Sequence, residues 1–185
     1  MELLRIRPEL YQINVHAWPI EAAESRLFAG YDPFGNKIAL KVYRSLPLQQ
    51  IQTYAEVTNY LAQTVNESGM IVRLNVRGSV NEYTVHIVPV SALGVVEDPD
   101  KAGLDLPCTL SPFIDGDSLF DLDRNFLSKH LGMNQKNPLF VLSQTLEKIS
   151  NRNIAIIPWN VKPLEKEGQP ILEVTDICGS IKSLE

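Results

Sequence analysis

The sequence predicts an α+β fold built on an antiparallel sheet plus one long helix. Alternating apolar and polar residues on either side of a turn at 32–36 predict a β-hairpin over residues 27–44. Apolar residues then recur every three or four positions from 48 to 65, as on the buried side of an amphipathic helix. A second alternating pair, 71–76 and 82–87, predicts another hairpin directly after the helix.

The first hairpin contains a lysine in an apolar strand, because Lys41 lies between Leu40 and Val42. A lysine in this setting must reach water or find an anion. Glu56 lies on or beside the apolar face of the predicted helix, so we expect it to pair with Lys41 in a geometry suited to clamping a phosphate. The alternative is an ordinary pair between Lys41 and a surface carboxylate.

The chain is expected to form two unequal lobes. Residues 1–111 form a lobe of strands and one helix, with the inserted hairpin at about 71–87. Residues 112–183 form a hinge and a smaller second lobe. In that lobe, aliphatic residues at helical spacing predict a helix over 139–149, and a turn at 167–170 predicts a short hairpin.

Composition restricts the class of protein. A chain of 185 residues with 44% hydrophobic and 21% charged content can bury one core or two small lobes. A net charge of −5 without a basic cluster argues against nucleic acid as a partner. The sequence shows neither a long apolar run nor a secretory signal, so we expect no membrane partner and a cytoplasmic location.

The cysteines and histidines do not predict a reactive or metal site. Cys108 and Cys178 lie in apolar, strand-like segments and are expected to be buried thiols. The histidines share no spacing typical of metal ligands. They are His16, His86 and His130. The final dipeptide, 184–185, is either a scar of the kind that a cloning site leaves or a chance occurrence of the same two residues.

Taken in chain order, these segments resemble the protein kinase fold. Ala39-Leu40-Lys41 is similar to the Ala-x-Lys of that family's third strand, where the lysine holds nucleotide phosphates and pairs with a glutamate of the next helix, here Glu56. Residues 87–96 look like the fourth strand, and 106–119 look like the fifth strand, the interlobe hinge and a short helix. The hinge residues implied to contact nucleotide are Ser111 and Phe113.

The second lobe carries the same resemblance. Residues 156–163 are similar to the catalytic loop, which puts Asn160 at the position of the catalytic base and Lys162 at the position of the loop lysine. Asp176 begins a segment that looks like a distorted Asp-Phe-Gly, so the resemblance implies that it binds magnesium. Glu165 falls on or near the position of the family's asparagine that holds the second magnesium ion, and a glutamate can also bind a hard cation.

The departures from the family pattern predict a loss of catalysis. The glycines that lie over the phosphates in the family fall near Ile20, Ala22 and Ser25, so the Gly-rich loop is missing. Asn160 replaces the catalytic aspartate, and a neutral amide cannot act as a general base. One extra residue follows Asp176 before the glycine, and the alternative interpretation of Asp176 is a turn former.

Bulky aromatic residues occupy positions around the expected cleft. Trp159 is expected to fill the core beside Pro158, in the space that the family's histidine and arginine leave. Trp18 and Phe28 are expected to block part of the nucleotide cleft.

Three functional interpretations remain. The favoured one is a degenerate, pseudokinase-like regulatory or protein-binding domain, truncated after the Asp-Phe-Gly equivalent, with weak or no nucleotide binding. Such a domain acts through a protein partner or as a homodimer, using the inserted hairpin or the open lower face where the family's missing helices would dock. The alternative is a phosphotransferase similar to Ser/Thr kinases, using Lys41 and Asp176 with ATP and magnesium as cofactors. The third is a small α+β protein whose kinase matches are accidental.

Overall fold

The computed structural model describes residues 3–15, 19–21, 25–123 and 137–177. In chain order the elements are β1 (Leu3–Arg5), a 3₁₀ helix (Pro8–Tyr11), β2 (Ile20–Glu21), β3 (Ser25–Tyr31), β4 (Lys37–Tyr43), α1 (Leu48–Ser68), β5 (Ile71–Val76), β6 (Ser79–Ile87), β7 (Ala92–Glu97), β8 (Asp105–Pro112), α2 (Leu119–Leu122), α3 (Pro138–Ser150), a second 3₁₀ helix (Pro158–Asn160), β9 (Val161–Lys166) and β10 (Gln169–Val174). The residues of several predictions lie outside the described part. They are His16, Trp18, Ala22, His130, Cys178, Gly179 and the dipeptide 184–185.

The chain combines β-sheets with α-helices, so the predicted α+β class is confirmed. The chain also divides into two compact units. The first unit contains residues 1–56 and 89–113, and the second contains residues 57–88 and 114–185. The break after Phe113 falls within the predicted hinge. The predicted lobes of residues 1–111 and 112–183 stay a prediction, and residues 57–88 belong to the second unit. The physical reason is the pairing of β6 with β10 near the end of the described chain.

The first unit is built on a six-stranded sheet in the order β1-β7-β8-β4-β3-β2. Its pairs are antiparallel apart from β1 with β7. The predicted hairpin over 27–44 forms as β3 and β4. The predicted strand over 87–96 is wrong in its extent, because β6 ends at Ile87 and β7 begins at Ala92. Pro89 lies in this break, where its missing N–H cannot contribute to a strand ladder.

The core of the first unit lies on one face of this sheet. Ile38, Leu40 and Val42 alternate along β4 and are buried, together with Cys108 and Leu110 of β8. The segment after β1 closes over them, because two of its isoleucines join the same cluster. These are Ile6 and Ile13.

A smaller cluster forms on the other face of the sheet. Tyr43 of β4 and Leu93 of β7 pack with Ile51, which lies in the first turns of α1. The helix predicted from 48 to 65 is confirmed, and its buried residues repeat at three and four positions. They are Ile51, Ala55, Thr58, Leu61, Ala62 and Val65.

The second unit is built on a four-stranded sheet in the order β5-β6-β10-β9. The hairpin predicted as an insertion forms as β5 and β6, but its turn consists of Arg77 and Gly78, which both have positive φ (53° and 87°). β6 therefore starts at Ser79, three residues earlier than predicted. On its other side β6 pairs in parallel with β10, so the hairpin is an integral part of this sheet.

The second unit also contains the helix predicted over 139–149, which is confirmed as α3. Asn137 caps its start, because the side-chain oxygen accepts hydrogen bonds from the backbone N–H of Leu139 (3.0 Å) and Phe140 (3.4 Å). Pro138 at the first helical position has no N–H that needs a partner. Among the described helices, none has the length and apolar character needed to cross a membrane.

Candidate functional site

Lys41 lies on the face of the six-stranded sheet opposite to the main core. In the register of β4 and β8, Lys41 is opposite Thr109 and Ala39 is opposite Ser111. Directly opposed residues of antiparallel strands share a face, so Lys41 and Ser111 lie on the same side. Leu40 points to the other side and is fully buried. The structure therefore brings two of the predicted nucleotide contacts to one surface of the first unit.

The ammonium group of Lys41 lies beside two tyrosine rings. Its Nζ is 5.2 Å from the ring centroid of Tyr43 and 5.6 Å from that of Tyr54. The two rings also contact each other edge to face, with centroids 6.5 Å apart. Both distances to Nζ fall within the range of a cation–π interaction. Half-burial of the lysine is thus compensated in part by the negative faces of aromatic rings.

Glu56, the predicted partner of Lys41, is exposed and accepts a hydrogen bond from Nε2 of Gln52 at 3.1 Å. Tyr54 and Glu56 are two positions apart on α1, and residues with this spacing do not share a face of a helix. The helix presents Tyr54 to the ammonium group. The Lys41–Glu56 ion pair stays a prediction. The sequence could have indicated Tyr43, because residues two positions apart on a strand lie on the same face of the sheet.

The hinge residue Phe113 is fixed to the start of β4. Its backbone N–H donates a hydrogen bond to the carbonyl oxygen of Lys37 at 3.0 Å. Nζ of Lys37 lies 4.3 Å from the centroid of the Phe113 ring. Ser111 is half-buried. A contact of Ser111 or Phe113 with nucleotide stays a prediction.

The segment that resembles the catalytic loop lies in the second unit, next to the segment that resembles Asp-Phe-Gly. The carbonyl oxygen of Asn160 accepts hydrogen bonds from the backbone N–H of Thr175 (2.8 Å) and from its hydroxyl (3.2 Å). Asp176 directly follows Thr175, so Asn160 and Asp176 are neighbours. Lys162 donates a hydrogen bond from Nζ to the carbonyl oxygen of Ile114 at 2.6 Å, which fixes the segment just after the hinge.

The two predicted magnesium ligands are not brought together. Glu165 is opposite Pro170 at the turn end of the β9–β10 hairpin, whereas Asp176 follows Val174, which is opposite Val161 at the other end. Four strand residues at ~3.3 Å each separate the two ends by about 13 Å. Within the described ranges, no three or more His, Cys, Asp or Glu side chains lie close enough together to bind one metal ion.

One carboxylate that the sequence interpretation missed is Glu173. Its side chain is 5% exposed, it accepts a hydrogen bond from Nζ of Lys166, and Oε1 is 3.8 Å from Nδ1 of His86. The sequence signal was a single acid between Leu172 and Val174, in an otherwise buried strand. A buried carboxylate needs compensation by a cation or hydrogen bonds.

Two predictions about aromatic residues are wrong. Trp159 is 47% exposed and stacks on Phe120 with ring centroids 4.5 Å apart, while Pro158 is the buried member of the pair. Successive residues of a 3₁₀ helix point about 120° apart, so they cannot both face the core. Phe28 is opposite Leu40 and belongs to the main core, on the face away from Lys41.

The described positions of the missing Gly-rich loop are strand residues. Ile20 lies in β2 and is 63% exposed, and Ser25 begins β3 and is buried. Leu27 rather than Phe28 is the β3 residue opposite Lys41, and it is half-buried.

The solved structures to which this chain is similar include two kinases. No family model and no curated protein sequence matches the chain. An alpha kinase from Entamoeba histolytica is similar at a TM-score of 0.47 and 16% identity, over 90% of this chain and 63% of that one. The amicoumacin kinase hAmiN, in complex with AMP-PNP, Ca²⁺ and Ami, is similar at a TM-score of 0.39 and 17% identity, over 89% of this chain and 42% of that one. The chain thus spans less than two thirds of the length of either structure.

Proposed function

We propose that this chain is a kinase-like domain that does not transfer phosphoryl groups and serves as a regulatory or protein-binding module. The strand order supports the kinase-like part. The strands that resemble the family's third, fourth and fifth are β4, β7 and β8, and β8 lies between the other two in one antiparallel run. α1 follows β4, as the glutamate-bearing helix follows the lysine strand in the family.

The proposed loss of phosphoryl transfer rests on the identity of residue 160, which is an asparagine. At the position of the catalytic base stands a neutral amide, which cannot accept the proton of a substrate hydroxyl. The loop around it is held, because Thr175 donates two hydrogen bonds to the Asn160 carbonyl.

The magnesium ligands support the same conclusion. One ion needs oxygen ligands at 2.0–2.1 Å, and the register of β9 and β10 separates Glu165 from Asp176 by the length of the hairpin. The pair therefore does not fit a shared magnesium ion. Asp176 alone remains as a ligand of the kind that the resemblance implies.

The proposed role in binding rests on exposed apolar residues of the β5–β6 hairpin. Ile71 is 63% exposed and Val80 is 51% exposed. β5 is an edge strand of the four-stranded sheet, and edge strands are natural sites for pairing with another chain. A protein partner or a second copy of this chain is the proposed occupant of this edge.

Titration with Mg-ATP tests the proposal. The natural chain and Lys41→Ala are compared by calorimetry and thermal unfolding, with Lys101→Ala as a control that removes an exposed lysine from a turn. A ligand at 100 times its dissociation constant stabilises a protein by about 2.7 kcal/mol. We expect a much smaller stabilisation at millimolar Mg-ATP and no transfer of labelled phosphate. Magnesium-dependent ATP turnover that Lys41→Ala removes and Lys101→Ala retains contradicts the proposal.

A second candidate is a Mg-ATP-dependent phosphotransferase using Lys41 and Asp176. The contact that favours it is the pair of Thr175 hydrogen bonds, which keep Asp176 beside the catalytic-loop segment. Under this alternative, Asp176→Asn removes phosphate transfer while Glu165→Gln, at the far end of the hairpin, retains it.

A further inference from the structure

In the described part of the chain, the two sheets end in four edge strands, and three of these discourage pairing with another chain. The edges of the six-stranded sheet are β1 and β2, which have only three and two residues. One edge of the four-stranded sheet is β9, which contains Pro163 and three charged residues among its six. Short strands, proline and charge are devices by which proteins prevent edge pairing. The other edge, β5, has six residues, no proline and a single charge, so it stays open to a further strand.

The backbone of β5 presents polar groups to its outer side at alternate residues. The carbonyl oxygen of Met70, just before β5, accepts a hydrogen bond from the N–H of Val85 at 2.7 Å. Hydrogen-bonded pairs alternate along an antiparallel ladder, so the even-numbered residues of β5 bond to β6. The N–H and C=O groups of Ile71, Arg73 and Asn75 therefore point outward. Donors and acceptors at this two-residue spacing fit the backbone of an extended peptide that adds a strand to the sheet.

The side chains on the exposed face of this edge indicate what the peptide carries. Ile71 is 63% exposed and Arg73 is exposed, and both lie on one face because they are two positions apart on a strand. Ile71 offers an apolar contact to a residue directly opposite, whereas Arg73 attracts a carboxylate. Glu82 of β6 is opposite Arg73 on the inner side, so an acid on the peptide continues the alternation of charge across three strands. In an antiparallel peptide, the acid then stands two positions before the apolar residue.

A second copy of this chain fits the same edge poorly. Two antiparallel β5 strands share hydrogen bonds only when outward-pointing residues oppose each other. The pairing that uses all three outward residues of both strands sets Ile71 opposite Asn75, and Arg73 opposite Arg73 of the other copy. Like charges directly opposite each other destabilise a sheet. Arg73 thus disfavours self-pairing and favours an acidic partner strand.

We propose that the outer edge of β5 binds an extended, antiparallel peptide segment with an acidic residue opposite Arg73 and an apolar residue opposite Ile71. This inference rests on the proposed function as a protein-binding module, and it names the class of partner. Each outward residue of β5 exchanges backbone hydrogen bonds with the segment, and the acid fixes the register. A slip by one residue turns the side chains of the segment to the opposite face of the sheet.

An NMR titration of the full chain with a short peptide tests the proposal. The probe is the blocked peptide Thr-Thr-Thr-Glu-Thr-Val-Thr, in which the glutamate stands two positions before the valine. We expect saturable slowing of amide hydrogen exchange, by at least about threefold, at the outward residues Ile71, Arg73 and Asn75. Val72 and Leu74 are the internal control, because their N–H groups already bond to β6 and should change little.

Two N-methylated forms of the probe separate strand pairing from nonspecific attraction. A methyl group on the glutamate nitrogen removes the N–H that faces the carbonyl oxygen of Arg73, and we expect it to abolish the slowing. A methyl group on the nitrogen of the next threonine points away from β5, and we expect it to leave the slowing nearly unchanged.

An exchange of charges tests the role of Arg73. Arg73→Glu is expected to weaken binding of the glutamate probe by roughly threefold to tenfold, and a probe with lysine in place of glutamate is expected to restore it. Lys101→Glu reverses an exposed charge of the first unit and is expected to bind as the natural chain does. Thermal unfolding confirms that each variant is folded.

Four outcomes overturn the proposal. The first is exchange at Ile71, Arg73 and Asn75 that millimolar probe leaves unchanged, and the second is equal binding of the two N-methylated probes. The third is equal binding of the glutamate and lysine probes to the natural chain, which removes the acidic class. The fourth is slowing at these amides that grows with protein concentration without peptide, which makes a second copy the occupant. None of these involves nucleotide, so the Mg-ATP titration decides the proposed loss of phosphoryl transfer separately.

Discussion

The two sheets of this protein bury ionisable groups in opposite ways. On β8, Cys108 is fully buried, and burial raises the pKa of its thiol to about 12, so the group stays neutral. On β10, Glu173 is 4% exposed and is accompanied by the ammonium group of Lys166 and the imidazole of His86. The first sheet avoids a buried charge, whereas the second sheet compensates one.

This difference teaches where each unit is sensitive to substitution. A neutral buried group needs only good packing, so no nearby charge has to be kept to stabilise it. A buried carboxylate that loses its cation is left uncompensated, which is strongly destabilising. Single charge removals should therefore damage the second unit more than the first.

The largest expected effect concerns the neutral thiol of the first sheet. The pKa of Cys108 rises from its ordinary value of 9.0 to about 12. Three pKa units lower the thiolate fraction at neutral pH about a thousandfold. We expect alkylation by iodoacetamide to be slower by at least that factor in the folded protein than in urea, measured by mass spectrometry of the Cys108 peptide.

The sign of the accompanying pH effect follows from the raised value. Stability due to the neutral thiol is fully present below the ordinary pKa and is lost as pH rises towards the folded one. The contribution of Cys108 to the free energy of unfolding should therefore fall only in alkaline solution, above about pH 9. If iodoacetamide alkylates Cys108 in the folded protein as fast as it does in urea, the prediction of a neutral, inaccessible thiol is wrong.

The second largest effect concerns the compensated charge. Lys166→Ala removes the ammonium group and leaves His86 as the described ion-pair neighbour of Glu173, and we expect the free energy of unfolding to fall by about 2–3 kcal/mol in urea titration. Lys101→Ala removes an exposed lysine of the first unit and should change it by less than about 0.5 kcal/mol. If both substitutions lower the free energy of unfolding equally, the inferred difference between the two sheets is wrong.

A smaller effect is expected for Lys41, which lies beside two tyrosine rings. A double-mutant cycle of Lys41→Met and Tyr54→Leu should give a coupling of about 0.5–1 kcal/mol, the range of a cation–π pair near the surface. The same cycle with Glu56→Gln in place of Tyr54→Leu tests the ion pair predicted from the sequence. A larger coupling with Glu56 than with Tyr54 reverses the assignment of the partner.

The smallest effect concerns an exposed charge at the tip of the first hairpin. The side-chain hydrogen bond from Asn36 lowers the pKa of Asp32, with help from the backbone N–H groups of Asn36, Phe34 and Gly35. The support that this carboxylate gives the turn is present above the unfolded pKa and is lost as pH falls through the folded one. In a carbon-detected NMR titration, Asn36→Ala should move the Asp32 midpoint upward; an unchanged midpoint argues against this cause.

Local periodicity was enough to predict the elements that pack on nearby sequence. The hairpin of β3 and β4, the helix α1 and the helix α3 all follow from spacing of apolar residues over one element. The pairing of β6 with β10 carries no local signal, because the two strands are distant in sequence and each is apolar enough to pair elsewhere. That pairing decided which unit residues 57–88 joined.

At the candidate site, the strand phase was predictable from the sequence, whereas the residue of α1 that meets Lys41 was not. Lys41 lies where alternation along β4 puts it, opposite in direction to Leu40 and Val42. On α1, a shift of two positions separates Tyr54 from Glu56, and sequence spacing to Lys41 could not decide between them. Trp159 was misplaced for a similar reason, since the 3₁₀ helix turned Pro158 inward instead.

The strand β1 has a consequence for how this chain emerges from the ribosome. Leu3 pairs with Leu93, so the first strand has no partner until about 90 further residues have been made. At 5–20 residues per second, that interval lasts roughly 5–18 seconds. The second unit is completed later in synthesis, because β6 pairs with β10, whose last residue is Val174. Each unit is thus completed only after part of the other has been synthesised, and a stall in translation between residues 56 and 89 leaves both exposed to aggregation.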